Sequence, residues 1–450
     1  MAPGHSRAGK SHDFPGLLAL RRLVTVDRTV RTSRLVLTVR ALLQPPLSVA
    51  HQFRAFRAKP GAFQVIVMGL AINVRHAHEC VVFALQPASK IAHRLMIVIF
   101  AILTSFMSHV IIKSLTLLAC LCLIACAKKP GEQKAEFFIF GTVMEVTIWG
   151  ADEPEAQRAF TRLQSQFQEM HHEWHAWEPG LLTEINQAFA SGKSSQASHS
   201  IVEMTRQSQR VEEQSEGRFN PAVGALVRLW GFHTSDYPIE GPPPGQLKID
   251  ELVAQDPSSL DIQLNGLTMT STNPAVQLDF GGIAKGYAID IACDTLRKLG
   301  IDNAIVNAGG DLRAFGSHGD RPWRIAVRDP AGGIIAALEA GKDEAIFTSG
   351  NYERFRQDNE SRYPHILDPR TGWPVKDLAS VTVITGEGWL ADAAATALIV
   401  AGLDDWAEVA RSLGLDQVLL VDEAGKAYLT EKMNDRAEFV EGVEKEIVIF

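Results

Sequence analysis

The sequence has few cysteines, no excess of positive charge and no internal repeat, and each shortage removes a class of protein. Cys120, Cys122 and Cys126 crowd into one apolar stretch, which leaves only Cys80 and Cys293 elsewhere. That distribution forms neither a disulfide framework nor a zinc pattern. Lys and Arg number 44 against 52 Asp and Glu, a formal net charge of -8. No basic stripe suits a phosphate polymer, which argues against nucleic acid and for a small molecule or another protein as substrate. A metalloprotease helix is also missing: in His171-His172-Glu173-Trp174-His175 a single residue separates Glu173 from His175, so the paired ligands of H-E-x-x-H are absent. That run is expected to be a helix end with solvated histidines. With 450 residues, 46% of them hydrophobic, the chain can bury a core as one large domain or two ordinary ones.

From residue 1 to about 87 no sustained period of 3.6 or 2.0 is present, and no domain is read there. From Leu95 the chain becomes strongly apolar, pauses at residues 107–114 and resumes up to Cys126. Two readings compete. In one, Met107 is the start, Lys113 supplies a short positive region, Leu115 to Ile124 an apolar core, and Leu123-Ile124-Ala125-Cys126 a lipobox with Cys126 as the lipidation site. Residues 1–106 are then unassigned and precede the true start. In the other, the first block is real and the whole apolar stretch anchors the chain in a membrane; the apolar core Leu115 to Ile124 is by itself short for a transmembrane helix. Both place residue 127 onward outside the cytoplasm, and the first implies a lipid anchor on the inner membrane facing the periplasm.

Residues 127–136 have the charge, Gly and Pro of a solvated tether, and a folded domain is expected over 137–440. Phe137 to Trp149 alternates as a strand with Gly141-Thr142 inside it, and Pro154 opens an amphipathic helix to about Met170. Helices are expected at Leu181 to Ala190 and Ile201 to Glu216, with a Pro-rich loop at Ile239 to Gly245 and alternating strands and helices beyond. The expected fold class is α+β in mixed layers.

The segment from Val276 to Asp290 (VQLDFGGIAKGYAID) is expected to be a strand, a double-Gly turn and a helix. Ala284, Ala288, Ile291, Ala292, Thr295 and Leu299 recur at helical spacing, and Gly300 stands where a C-terminal glycine should. Two glycines at a helix start leave N–H groups open to a phosphate or a carbonyl open to a metal, and Lys285 adds a cation. The plainer alternative is a tight strand-to-helix corner. Asp392 and Thr396 share a helix face at i and i+4, a hard oxygen pair suited to Mg²⁺. Here too a plainer alternative stands: Asp392 favours a helix dipole while Thr396 bonds back to a carbonyl.

Four ordered motifs resemble the ApbE family of FAD:protein FMN transferases. LDFGGIAKGYAID is similar to that family's LDLGGIAKGYAVD. Gly217 to Gly224 followed by Leu226 to Phe232 resembles its G-x-F-D-P-T-V-G-P-L-V-x-L-W-G-F. His365 to Pro374 resembles H-I-I-D-P-x-T-G-x-P, and Ala391 to Thr396 resembles A-D-A-x-A-T. Phe140 replaces the commoner Met before Gly-Thr, Asn220 replaces Asp, and His175-Ala176-Trp177 stands for Ser-Thr-Tyr. The resemblance implies an ApbE-like, T-fold-related domain and an enzyme that cleaves FAD at its pyrophosphate, passes FMN to a threonine or serine hydroxyl of an acceptor flavoprotein, and releases AMP. It implies Mg²⁺ at Gly282, Asp392 and Thr396. FAD contacts are implied at Phe140, Trp177, Arg218, Phe219, Asn220, Asp279, Lys285 and Ile366, with Trp177 equally readable as core. His365 or Asp392 is the candidate for accepting the hydroxyl proton. The acceptor is expected to be a respiratory protein outside the cytoplasm. An FAD pyrophosphatase and a flavin-binding lipoprotein remain alternatives.

Overall fold

The structure, a computed structural model, describes residues 94–109, 111, 131–234, 236–359 and 361–449. The chain divides into two compact units, Met1–Leu117 and Leu118–Phe450. In the first, residues 94–109 form a helix that exposes Leu95, Ile97, Val98, Ile102, Leu103 and Phe106. Among the described residues no helix is long and apolar enough to cross a membrane. The expected lipobox and Cys126 lie outside the described residues.

The second unit is built on a nine-stranded sheet whose strands lie side by side in chain order. They are β1 (Glu132–Ile139), β2 (Thr142–Trp149), β3 (Ala304–Ala308), β4 (Asp311–Phe315), β5 (Asp343–Gly350), β6 (Leu378–Thr385), β7 (Val418–Asp422), β8 (Ala427–Thr430) and β9 (Lys445–Val448). All neighbours are antiparallel except β8 and β9. Five longer helices accompany it: α1 (Glu153–Trp174), α2 (Leu181–Ala190), α3 (His199–Gln214), α4 (Ala284–Lys298) and α5 (Gly388–Ser412). Alternate sheet residues Met144, Val146, Ile148, Val306, Phe347 and Val381 pack on α1, α4 and α5. The opposite face, through Leu312, Ala314, Ile346, Ile384 and Leu419, is covered around Ile325 and Leu338 of strands Arg324–Arg328 and Ile334–Glu339. This is the α+β layering expected.

Several boundaries differ from expectation. The single strand expected over 137–149 is a hairpin, because Phe140 and Gly141 both take positive φ (54° and 69°), the requirement of a two-residue turn between twisted strands. Its first strand begins at Glu132, inside the expected tether, since pairing with β2 runs back to Trp149. The sheet also continues past residue 440, into β9. Before the double-Gly turn, residues 276–280 make only an isolated bridge, from Gln277 to Val223. On α4 the buried stripe is Ala288, Ile289, Ala292, Cys293 and Leu296, while Leu299 is exposed. Helix α3 starts two residues early, where Ser198 accepts the Ile201 N–H at 3.2 Å.

The contact that positions the site is the crossing of α4 and α5 at two glycines. A methyl group at Gly286 would overlap the Gly388 carbonyl and lie 2.8 Å from the Trp389 nitrogen. One at Gly388 would lie 2.7 Å from the Gly286 oxygen. Neither helix has a capping side chain at its own N-cap, Ile283 or Glu387. Each is capped by the other. Asp290 of α4 accepts the N–H groups of Gly388 (2.8 Å) and Trp389 (3.0 Å), and Asp392 of α5 accepts that of Gly286 (2.9 Å). Gly286→Ala should therefore cost at least about 3 kcal/mol in denaturant unfolding, because backbone meets backbone on both sides. A cost under about 1 kcal/mol, that of a Gly to Ala change in an open helix, would show that the crossing is not tight.

Candidate active site

Asp392 is 4% exposed. Its Oδ2 caps α4, and its Oδ1 faces Lys285 Nζ at 3.3 Å. Lys285 donates a second, shorter hydrogen bond to Asp311, which also accepts the Thr348 N–H at 2.9 Å. One ammonium thus sits between two carboxylates. Burial alone would lower the Lys285 pKa, but Asp311 and Asp392 outweigh it and hold the ammonium above the ordinary lysine value. Burial pushes the Asp392 carboxyl up, Lys285 draws it back, and Asp311 opposes that.

Thr396 lies one turn on from Asp392 and is the only residue from 391 to 400 that is not buried. Its hydroxyl donates back to the Asp392 carbonyl at 3.2 Å, as the plainer reading foresaw, and lies 3.5 Å from Ser349 Oγ. Back-bonding uses the hydroxyl proton and leaves its lone pairs open. A side chain on Gly282 would meet Thr396 Oγ1 and the Phe219 ring, each at 3.2 Å. The Gly282 backbone and the Thr396 hydroxyl are therefore neighbours, and the Asp392 carboxylate holds the first turn of the helix that follows Gly282. Asp392, which accepts one hydrogen bond on each oxygen, also retains acceptor capacity. This donor set of hard oxygens, with two carboxylates against one ammonium beside it, fits Mg²⁺. Among the described residues no group of three or more His, Cys, Asp or Glu could hold a metal ion.

A group of aromatic side chains adjoins this cluster through Tyr287 of α4 and the Asp279 turn. Phe140 stacks on Trp174 (centroids 6.1 Å, planes 16° apart), and Trp174 leans on Tyr287 of α4. Trp177 donates from Nε1 to Asp279 at 3.1 Å and faces His233 at 5.3 Å. Asp279 accepts the Gly281 N–H on its other oxygen, fixing the double-Gly turn, and burial pushes its pKa up. His171 and His175, expected to be solvated, pack edge-on at 5.3 Å beside Phe140, and His175 Nδ1 accepts the Trp177 and Glu178 N–H groups. His365 follows the strand Ser361–Pro364, and its Nδ1 is buried without a hydrogen-bond partner. Burial, followed by the charge of Arg354, lowers its pKa to about 4. Ile366 is buried beside it.

Two expected FAD contacts are committed elsewhere. Arg218, 8% exposed, pairs with Asp405 beyond the Gly402 break in α5 and with Glu216 at 3.1 Å. Asn220 closes a local turn by accepting the Ala222 N–H and donates to Pro257 O, both at 2.8 Å. Asp311, Tyr237 and Arg354 were not singled out from the sequence. For Asp311 a signal existed: it follows Gly309-Gly310 at a strand end, a second double-Gly turn.

The ApbE family profile matches residues 140–419. The chain is 42% identical over 311 residues to a FAD:protein FMN transferase of Rhodobacter capsulatus, covering 68% of this chain and 58% of that protein's length. It is 30% identical over 327 residues to the FAD:protein FMN transferase of Vibrio cholerae, covering 70% of this chain and 96% of that one. The crystal structure of an ApbE protein from Thermotoga maritima superposes with TM-score 0.62 at 27% identity, over 68% of this chain and 99% of that one. The flavin transferase ApbE from Vibrio cholerae gives 0.60 at 28% identity, with the same coverage.

Charge coupling in the cluster has a measurable sign. A carboxyl whose pKa is raised by folding contributes stability below its unfolded pKa and loses it as pH rises through its folded pKa. Lys285→Met removes the charge that draws Asp392 down, so this loss becomes larger. The variant should fall on the order of 3 kcal/mol below wild type at pH 8 and less at pH 5. An equal deficit at both pH values in urea unfolding would show that Lys285 and Asp392 are not coupled.

Proposed function

The chain belongs to the ApbE family, and from that premise we propose that it transfers FMN from FAD to a threonine or serine hydroxyl of an acceptor flavoprotein, releasing AMP. The observation that carries the reading is the placement of Lys285, Asp392, Thr396 and the double-Gly turn together, beside a group of aromatic rings. Simple flavin storage needs no such cluster. In the reaction the acceptor oxygen bonds the FMN-side phosphorus, the bond from that phosphorus to the bridging oxygen breaks, and AMP leaves with the bridging oxygen. Mg²⁺ held by Asp392, Thr396 and the Gly282 carbonyl would supply charge neutralisation for the pyrophosphate. Lys285 adds fixed positive potential there. Phe140 and Trp177 offer flat faces to an isoalloxazine or adenine ring, and Ile366 an apolar contact.

The hydroxyl proton goes to His365. His365 is neutral at pH 7 and its Nδ1 is unpartnered, whereas the Asp392 carboxylate is already committed to Lys285, the α4 cap and the proposed Mg²⁺. Bound pyrophosphate would offset the cations that depress its pKa and make it a stronger base. The apolar segment ending at Cys126 supports a site outside the cytoplasm on a lipid anchor, where a respiratory flavoprotein is the acceptor that suits the family.

Incubation of the full chain with FAD, Mg²⁺ and an Asp-x-x-Ser/Thr-Gly-Ala-Thr peptide should give an FMN-peptide adduct and AMP by mass spectrometry. Free FMN with AMP would make the enzyme a pyrophosphatase, and unchanged FAD a binder. Asp392→Ala should abolish transfer at any Mg²⁺ concentration. Because Asp392 also caps α4, Thr396→Val is the control that spares the cap: it should raise the Mg²⁺ needed for half-maximal rate at least about tenfold. Near-normal turnover in both would remove the metal assignment. His365→Gln should lower the transfer rate about a hundredfold or more. In wild type the acid limb of kcat/KM should fall near pH 4, and a limb near the ordinary histidine value would assign the proton to another group.

A further inference from the structure

The hairpin of strands Phe355–Asp358 and Ser361–Pro364 pairs Phe355 with Pro364 and Arg356 with Tyr363. Continued one step toward its open end, this register sets Arg354 opposite His365, and the His365 N–H donates to the Arg354 carbonyl at 3.0 Å. Directly opposed residues project to one side of a ladder. The guanidinium lies 5.7 Å from the centre of the Tyr237 ring and makes a long contact, 3.4 Å, to the Gly141 carbonyl. It therefore stands between the Phe140–Gly141 turn and His365. No carboxylate lies within ion-pair distance of it among the described residues, whereas Arg218, Arg313 and Arg436 each have one. Its charge is nonetheless felt by His365 and Tyr237, whose pKa values respond first to burial and next to Arg354. An exposed cation, oriented by a ring face and a carbonyl and, among the described residues, left without an anion, is arranged to receive one.

We propose that Arg354 is a second fixed cation of this site and binds the pyrophosphate of the dinucleotide, with Tyr237 and Gly141 setting its direction. The inference rests on the flavin-transfer reading and adds a residue to it. Guanidinium geometry suits forked contact with phosphate oxygens, so lysine should replace it only in part. The contrary view is that Arg354 is a strut that ties the hairpin turn to the Tyr237 loop.

Titration of the full chain separates the two. Wild type, Arg354→Gln and Arg354→Lys are each titrated with FAD and with riboflavin, which has the same ring system and no phosphate, and unfolded without ligand. Arg354→Gln should bind FAD at least about tenfold more weakly, with riboflavin affinity and the unfolding midpoint unchanged and Arg354→Lys intermediate. FAD affinity equal to wild type would overturn the proposal. Parallel loss of FAD affinity, riboflavin affinity and midpoint would overturn it in favour of the strut. A wild-type chain that binds neither flavin overturns the transfer reading itself, an outcome distinct from a variant that binds like wild type.

Discussion

The site depends on two helices that each lack a cap and supply one to the other. Gly286 and Gly388 let the backbones of α4 and α5 touch, and only at that separation can Asp290 reach the start of α5 and Asp392 the start of α4. A charge-assisted bond to a helix N–H is among the stronger uses of a carboxylate. Here the same bond orients the carboxylate. With Oδ2 held by Gly286, Oδ1 is turned to Lys285, and Thr396 follows one turn away on the same face. The arrangement that satisfies orphan donors is thus also the one that presents oxygen ligands beside a cation.

This economy has a consequence for how the site tolerates charge. Asp311 and Asp392 both lie against Lys285, which leaves the cluster with one carboxylate more than it has cations. In a buried setting an uncompensated carboxylate is unfavourable, and burial accordingly raises the Asp392 pKa. The divalent cation proposed at Thr396 and Gly282 would relieve that imbalance. Arg218 shows a different case: its two terminal nitrogens are paired, with Asp405 and Glu216, while its Nε is buried without a partner.

Much of this was legible in the chain because it is local. Helical spacing after Gly281-Gly282, the i and i+4 placement of Asp392 and Thr396, and the order of four motifs need no knowledge of distant contacts. What was not legible was of two kinds. Phe140 takes a left-handed conformation that a non-glycine residue does not advertise, so a hairpin looked like one strand. Arg218 and Asn220 matched the family pattern, yet their partners Asp405 and Pro257 are remote in sequence or visible only through a backbone carbonyl. Asp311 and Arg354 are the reverse: each reaches its place through sheet or hairpin register, which a pass along the chain does not reveal.

Lys285 and His365 are close enough for the charge of one to act on the other, and their surroundings push them to opposite protonation states. Two carboxylates keep the lysine charged, while burial and Arg354 keep the histidine neutral. The proposed phosphoryl transfer to a hydroxyl needs both at one pH: positive charge where the leaving phosphate gains negative charge, and a free lone pair where the hydroxyl loses its proton. If the carboxylates stood beside His365 instead, it would be an imidazolium and could accept nothing. If Lys285 were buried alone, it would shed its proton and lose its hold on phosphate. Placement of Asp311 and Asp392 beside the lysine and not the histidine is therefore what would divide the labour in the proposed reaction, and for Asp392 it follows from the helix crossing.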